Sequence, residues 1–179
     1  MSRHTRSILA TALFSLFGFT LAAQTQRPLR AVENDPDLRE VRDFRLTSEK
    51  VDKWASATQN LKKLADENPG LKENMDKDDN EKNITEIVQR MGKYPQAVTA
   101  IRTAGLSPRE YVVMSMSLMQ SVMAVGLKKQ GLLKEYPTDT INPQNLAFVE
   151  QNFERLRQLM EQANAAGSEK GSGREDDSQ

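Results

Sequence analysis

Residues 107–127 read SPREYVVMSMSLMQSVMAVGL, and this stretch decides the fold. Ser107 offers a side-chain oxygen to cap a helix. Pro108 fits the first helical position, where a missing N–H does no harm. Glu110 stands three residues after Ser107, the spacing of a capping box, and Leu106 and Tyr111 are placed to staple the same turn. From Tyr111 to Leu127 the polar residues are Ser115, Ser117, Gln120 and Ser121 alone. A helix that is apolar nearly all round belongs at the centre of a protein. The run is 17 residues long and flanked by charge. A bilayer needs about 20 apolar residues, so the stretch predicts a core helix rather than a membrane span. Gly131 supplies the stop.

Such a helix needs amphipathic partners, and the flanking sequence supplies them. Thr47 caps a helix over Ser48 to Glu67, stapled by Leu46 and Val51 and stopped at Asn68-Pro69-Gly70. Its apolar residues, Val51, Trp54, Leu61 and Ala65 with Leu64 beside them, share one face. A second segment covers Ile84 to Ala104, with Gly92 and Pro95 inside it. Proline deletes a backbone donor and clashes with the preceding turn, so this segment breaks near Pro95, with Tyr94 at the break. Asn142 and Pro143 open the last helix, with Ile141 and Leu146 as its staple. Leu146, Val149, Phe153, Leu156 and Met160 form its seam, and Arg157 and Glu161 are spaced to pair on its wet side. No segment alternates with a period of two. The prediction is an all-α four-helix bundle, its second helix broken near Pro95, with disordered termini.

The chain opens with the basic residues Arg3 and Arg6, then an apolar run from Ile8 to Ala23 ending Leu21-Ala22-Ala23. That order is the pattern of a secretory signal peptide, with cleavage expected after Ala22 or Ala23. The expected organisation is a signal peptide at 1–23, an extended leader at 24–45, a helical domain at 46–166 and a polar, low-complexity tail at 167–179. The expected location is periplasmic or secreted, in a Gram-negative host, with no membrane span after cleavage.

Composition then excludes much. His4 is the only histidine and falls in the signal segment, and there is no cysteine. A Ser-His pair, a Cys nucleophile and the Glu-x-x-His ligands of di-iron bundles are all impossible in the remaining chain. Of 25 basic and 25 acidic residues, Arg3 and Arg6 lie before Ala23 and no acid does, so the remainder has a net charge of −2. A nucleic-acid partner needs a basic face, and none is indicated. No cofactor is expected. About 156 residues make one domain, held by packing without disulfides.

Few residues suggest chemistry. Met116, Met119 and Met123 share a helical face with Val112, while Met114 points elsewhere. Thioethers are soft ligands, so the three are the candidate Cu(I) site, although methionine is as apt to fill a core. Asp76-Lys77-Asp78-Asp79-Asn80-Glu81 resembles the start of a calcium loop. It has Glu81 where the turn requires glycine and Ile87 where the twelfth position requires glutamate, so it reads as a solvated loop. Asn83-Ile84-Thr85 matches a glycosylation sequon. Trp54, Tyr94 and Tyr136 are the candidate partner-surface aromatics, with Trp54 also lying on the apolar seam.

Two stretches carry a resemblance. Ala104-Gly105-Leu106-Ser107-Pro108-Arg109-Glu110-Tyr111 resembles the Gly-Leu-Ser/Thr-x-x-Glu-Tyr turn of small exported bacterial helical families of unknown function. Leu46-Thr47-Ser48-Glu49-Lys50 is similar to the Leu-Thr-x-x-Gln motif of periplasmic stress chaperones, with Lys50 in place of glutamine. The first implies an exported helical protein and no activity. The second implies a role in shielding apolar clients. The sequence therefore predicts a non-enzymatic exported bundle that works by association with an unknown protein or envelope partner. A chaperone-like protein and a Cu(I) carrier are the alternatives.

Overall fold

A computed structural model describes residues 35–71 and 83–165. The expected signal peptide at 1–23, the acidic stretch at 76–81 and the expected tail at 167–179 lie outside the described residues. The described elements are α1 (Pro36–Asp43), α2 (Ser48–Glu67), α3 (Ile84–Gly92), α4 (Pro95–Thr103), α5 (Pro108–Lys129) and α6 (Pro143–Ala165). No strand occurs among the described residues.

The architecture is an all-α bundle around α5, which packs against α1, α2, α3, α4 and α6. Helix α2 also packs on α4 and α6. By length and composition α5 is apolar enough to cross a membrane, yet half of its most apolar window is buried inside the bundle. Tyr111, Val112, Val113, Met114, Leu118, Ala124 and Val125 are its core residues.

Local chemistry sets the ends of α5. Ser107 Oγ accepts from the Glu110 N–H at 3.2 Å, and the Ser107 N–H donates to Glu110 Oε2 at 2.9 Å. That backbone bond holds the Glu110 carboxyl below its ordinary range. At the other end Gly131 has φ +73, the left-handed region that glycine enters freely. Its N–H donates to the Lys128 carbonyl at 3.0 Å, and the Leu132 N–H donates to the Leu127 carbonyl at 2.9 Å. Those two bonds are a Schellman motif. All three staple pairs, Leu46 with Val51, Leu106 with Tyr111 and Ile141 with Leu146, are buried.

The break in the second segment falls where proline dictates. Helix α3 stops at Gly92 and α4 starts at Pro95, with Tyr94 as its N-cap position. Helix α6 bends at Asn152 (φ −117, ψ 15), whose side-chain Nδ2 donates to the Phe148 carbonyl at 2.8 Å. A side chain bonding within the backbone ladder is a recognised cause of bending.

The expectation of an extended leader through residue 45 is corrected. Pro36–Asp43 is helical, so folded structure reaches at least as far back as Asp35, before residue 46. Asp35 Oδ1 accepts from the N–H groups of Asp37 and Leu38, and Pro36 occupies the first turn. The cap signal stood in the sequence, but eight residues with one buried apolar side chain, Val41, show no period. Tertiary contacts hold the helix. The Arg109 guanidinium forks onto the Glu40 carboxylate, reaches Asp37 Oδ1 at 3.2 Å and donates to Thr85 Oγ1 at 3.1 Å. Asp37 Oδ2 accepts the Ile84 N–H at 2.7 Å, so one carboxylate links α1, α3 and α5.

The link between α1 and α2 is held from within. Asn145 of α6 is 1% exposed. Its Oδ1 accepts the Leu46 N–H at 2.8 Å, and its Nδ2 donates to the Phe44 carbonyl at 2.7 Å and to Ser117 Oγ at 3.3 Å. Ser117 Oγ donates to the Val41 carbonyl at 2.7 Å. An extended segment carries backbone groups that no helix ladder satisfies, and one buried amide satisfies two of them. No buried side-chain polar atom lacks a partner among the described residues.

Candidate binding groove

Helices α2 and α6 leave an open groove of about 550 Å³ between them. Trp54, Ala55 and Leu159 form its apolar part, with Ala163 toward the C-terminal end. Gln59, Lys62, Lys63, Asp66, Glu67 and Gln162 supply polar groups of both signs. Lys63 and Glu67 face each other across one turn at 3.9 Å. An apolar floor with convergent polar groups is the usual make-up of a small-molecule or peptide site. Two small residues, Ala55 of α2 and Ala163 of α6, are among its lining.

Trp54 is 7% exposed, so it is a core residue, in keeping with its place on the apolar seam, and it also lines the groove. Its indole Nε1 donates to Ser115 Oγ at 2.9 Å, and Ser115 Oγ donates to the Tyr111 carbonyl at 2.7 Å. Beside it, the Thr58 hydroxyl lies 3.2 Å from the Tyr111 hydroxyl. Burial raises the Tyr111 pKa. A buried Trp needs a partner for its N–H, and Ser115 fills that need from α5.

The other sequence candidates lie apart from this groove. Tyr94 is half-buried at the α3–α4 break. Tyr136 is half-buried in the loop before α6. Its hydroxyl donates to Glu150 Oε1 at 2.5 Å, and the Lys128 ammonium sits 3.9 Å from its ring centre. Its pKa is pushed up to about 12, by burial first and then by the bond to the Glu150 carboxylate. Met116 and Met119 are half-buried and Met123 is exposed, while Met114 is fully buried. The side chain of Asn83, in the sequon, caps α3 by accepting the Glu86 N–H at 2.9 Å. The acidic 76–81 stretch lies outside the described residues. No group of three or more His, Cys, Asp or Glu placed to hold a metal occurs among the described residues.

Sequence reasoning missed the groove and the two clamps. The groove needs the α2–α6 pairing, which no periodicity states. Asn145 and Arg109 stand in helical register like any polar surface residue, and only distant partners give them their roles. No family model, curated protein or solved structure matches the chain.

Proposed function

We propose that this protein is an exported, non-enzymatic binding protein that works in the periplasm through the α2–α6 groove. The single observation that carries the reading is the groove itself, an apolar floor edged by amides and by charges of both signs. That mixture suits an amphipathic partner, such as a peptide segment with one apolar and one polar face. The histidine- and cysteine-free domain and the signal-like leader support a binding role outside the cytoplasm. The polar side chains buried in the described core are engaged in holding helices together, which favours a scaffold over a catalyst.

The test is native mass spectrometry of the protein isolated from its host's envelope, alongside the Ala163→Arg variant. Arginine at 163 extends over the groove without entering the core. Added mass on the native protein that is lost in the variant supports the reading. Added mass retained in both places binding elsewhere, and a bare chain in both removes the basis for the groove. Trp54 is the only tryptophan, so its emission reports occupancy directly.

A Cu(I) role has one observation in its favour. Met116, Met119 and Met123 occupy the accessible side of α5 while Met114 is interior. Competition against a Cu(I) chelator, repeated with Met119→Leu, decides it. A chaperone role calls for a broad apolar surface. The exposed large apolar side chains among the described residues are Met123, Leu127 and Leu132, a small area for that task.

A further inference from the structure

The groove leaves the sequon Asn83-Ile84-Thr85 unused. A sequon offers an asparagine amide as acceptor and a hydroxyl two residues on, and it carries meaning at the surface of an exported chain. Glu81 stands two residues before Asn83, so the whole stretch reads Glu81-Lys82-Asn83-Ile84-Thr85. An acid at that place, with no proline between, is the longer form of acceptor that periplasmic oligosaccharyltransferases take.

The fold displays both side chains that the chemistry needs and hides the residue between them. Asn83 and Thr85 are exposed, while Ile84 is 2% exposed. The Ile84 N–H donates to Asp37 Oδ2 at 2.7 Å, which pins the start of α3 to α1. Asn83 itself has extended backbone, φ −152 and ψ 165, at the N-cap position of α3.

The cap is also built so that it survives modification. Asn83 Oδ1 accepts the Glu86 N–H at 2.9 Å, and Nδ2 donates to Glu86 Oε1 at 2.9 Å. Nδ2 carries two hydrogens and would give up one of them to a sugar. The Oδ1 acceptor and one N–H remain, and the cap uses no more than these. An asparagine packed inside the bundle could not fold with a sugar attached, whereas this one can.

We propose that Asn83 is the acceptor of an N-linked oligosaccharide, added during export. The donor is an oligosaccharide carried on a polyprenyl pyrophosphate. Asn83 Nδ2 attacks the anomeric carbon, and a new C–N bond forms. The bond from that carbon to the phosphate oxygen breaks, and the pyrophosphate leaves with the electron pair. One Nδ2 proton passes to a base of the transferase, and nothing is oxidised or reduced. Transfer precedes folding, because α3 then closes on Asp37 and holds Ile84 in the core. The proposal rests on the export reading above and not on the α2–α6 groove.

The test is intact mass spectrometry, under denaturing conditions, of the protein isolated from its host's envelope. Denaturation strips any non-covalent occupant of the groove. The expected spectrum is the chain cut after Ala22 or Ala23 plus a series of sugar-residue masses, carried by the tryptic peptide that ends at Arg90. Asn83→Asp keeps an oxygen for the cap and loses the whole increment. Thr85→Val also loses it, and Thr85→Ser, which restores the hydroxyl, retains it. Far-UV circular dichroism verifies that each variant is folded. A processed chain with bare Asn83 overturns the proposal and leaves export standing, while an unprocessed, bare chain overturns both. An increment that persists in Asn83→Asp places the sugar elsewhere and overturns it as well.

Discussion

Asn145→Ala is the sharpest test of how this bundle is held. The side chain is 1% exposed and uses both ends of its amide. Removing it leaves the buried Leu46 N–H and the half-buried Phe44 carbonyl without the partners they now have at 2.8 and 2.7 Å. Each such orphan costs about 1–3 kcal/mol. Two of them, partly relieved by water or backbone relaxation, give a loss of about 2–5 kcal/mol, a large share of the roughly 5–15 kcal/mol that stabilises a domain. In urea, with a slope of about 2 kcal/mol per molar, the unfolding midpoint falls by roughly 1–2.5 M. The slope itself is expected to hold, because the variant changes stability rather than the extent of unfolding. Asn145→Asp separates donor from acceptor. It keeps an acceptor for Leu46 and sets a carboxylate against the Phe44 carbonyl, so burial and the missing donor raise its pKa. A raised carboxyl pKa in the fold means that stability recovers as pH falls and the acid can donate. A midpoint shift below about 0.3 M for Asn145→Ala would refute the clamp, because one buried and one half-buried orphan cannot be that cheap.

Three further outcomes are expected. Gly126→Ala stabilises the protein by about 0.5–1 kcal/mol, because alanine favours the helix and its Cβ would meet the Phe153 ring at an ordinary 3.6 Å; differential scanning calorimetry should show a higher melting temperature, and a fall would mean that the α5–α6 contact is tighter than described. Arg109→Met frees α1: the Arg109 and Glu40 side chains are 39% and 37% exposed, so solvent screening limits the loss to about 1–2 kcal/mol, and hydrogen exchange should quicken at Val41 and Phe44 before it does in α5. Tyr136 ionises at about 12, above the ordinary 10, so the folded state holds its proton longer than the unfolded chain; this stability is present below pH 10 and is lost as pH rises toward 12. Phenolate absorbance follows the titration, and Glu150→Gln should bring the transition down.

The sequence by itself determined the helices whose signals are local. Ser107, Pro108 and Glu110 fix the start of α5 through bonds within four residues. Gly131 fixes its end through φ, and Pro95 breaks the second segment by steric clash. The apolar run from Tyr111 to Leu127 placed α5 at the centre, because a helix apolar nearly all round is most stable where other helices cover it. What the tertiary structure alone decided depends on residues far apart in the chain. Helix α1 has too few apolar positions to announce itself, and Arg109 and Ser117, some 70 residues onward, supply its contacts. Asn145 looks like a wet residue until the turn at Phe44–Leu46, about 100 residues earlier, folds onto it. The groove and the exposure of Met123, Leu127 and Leu132 also follow from assembly. Periodicity records which side of a helix is apolar, but not whether another helix arrives to cover it. Met123 and Leu127 continue the apolar run of α5 and look as interior as Leu118, yet no described helix covers them.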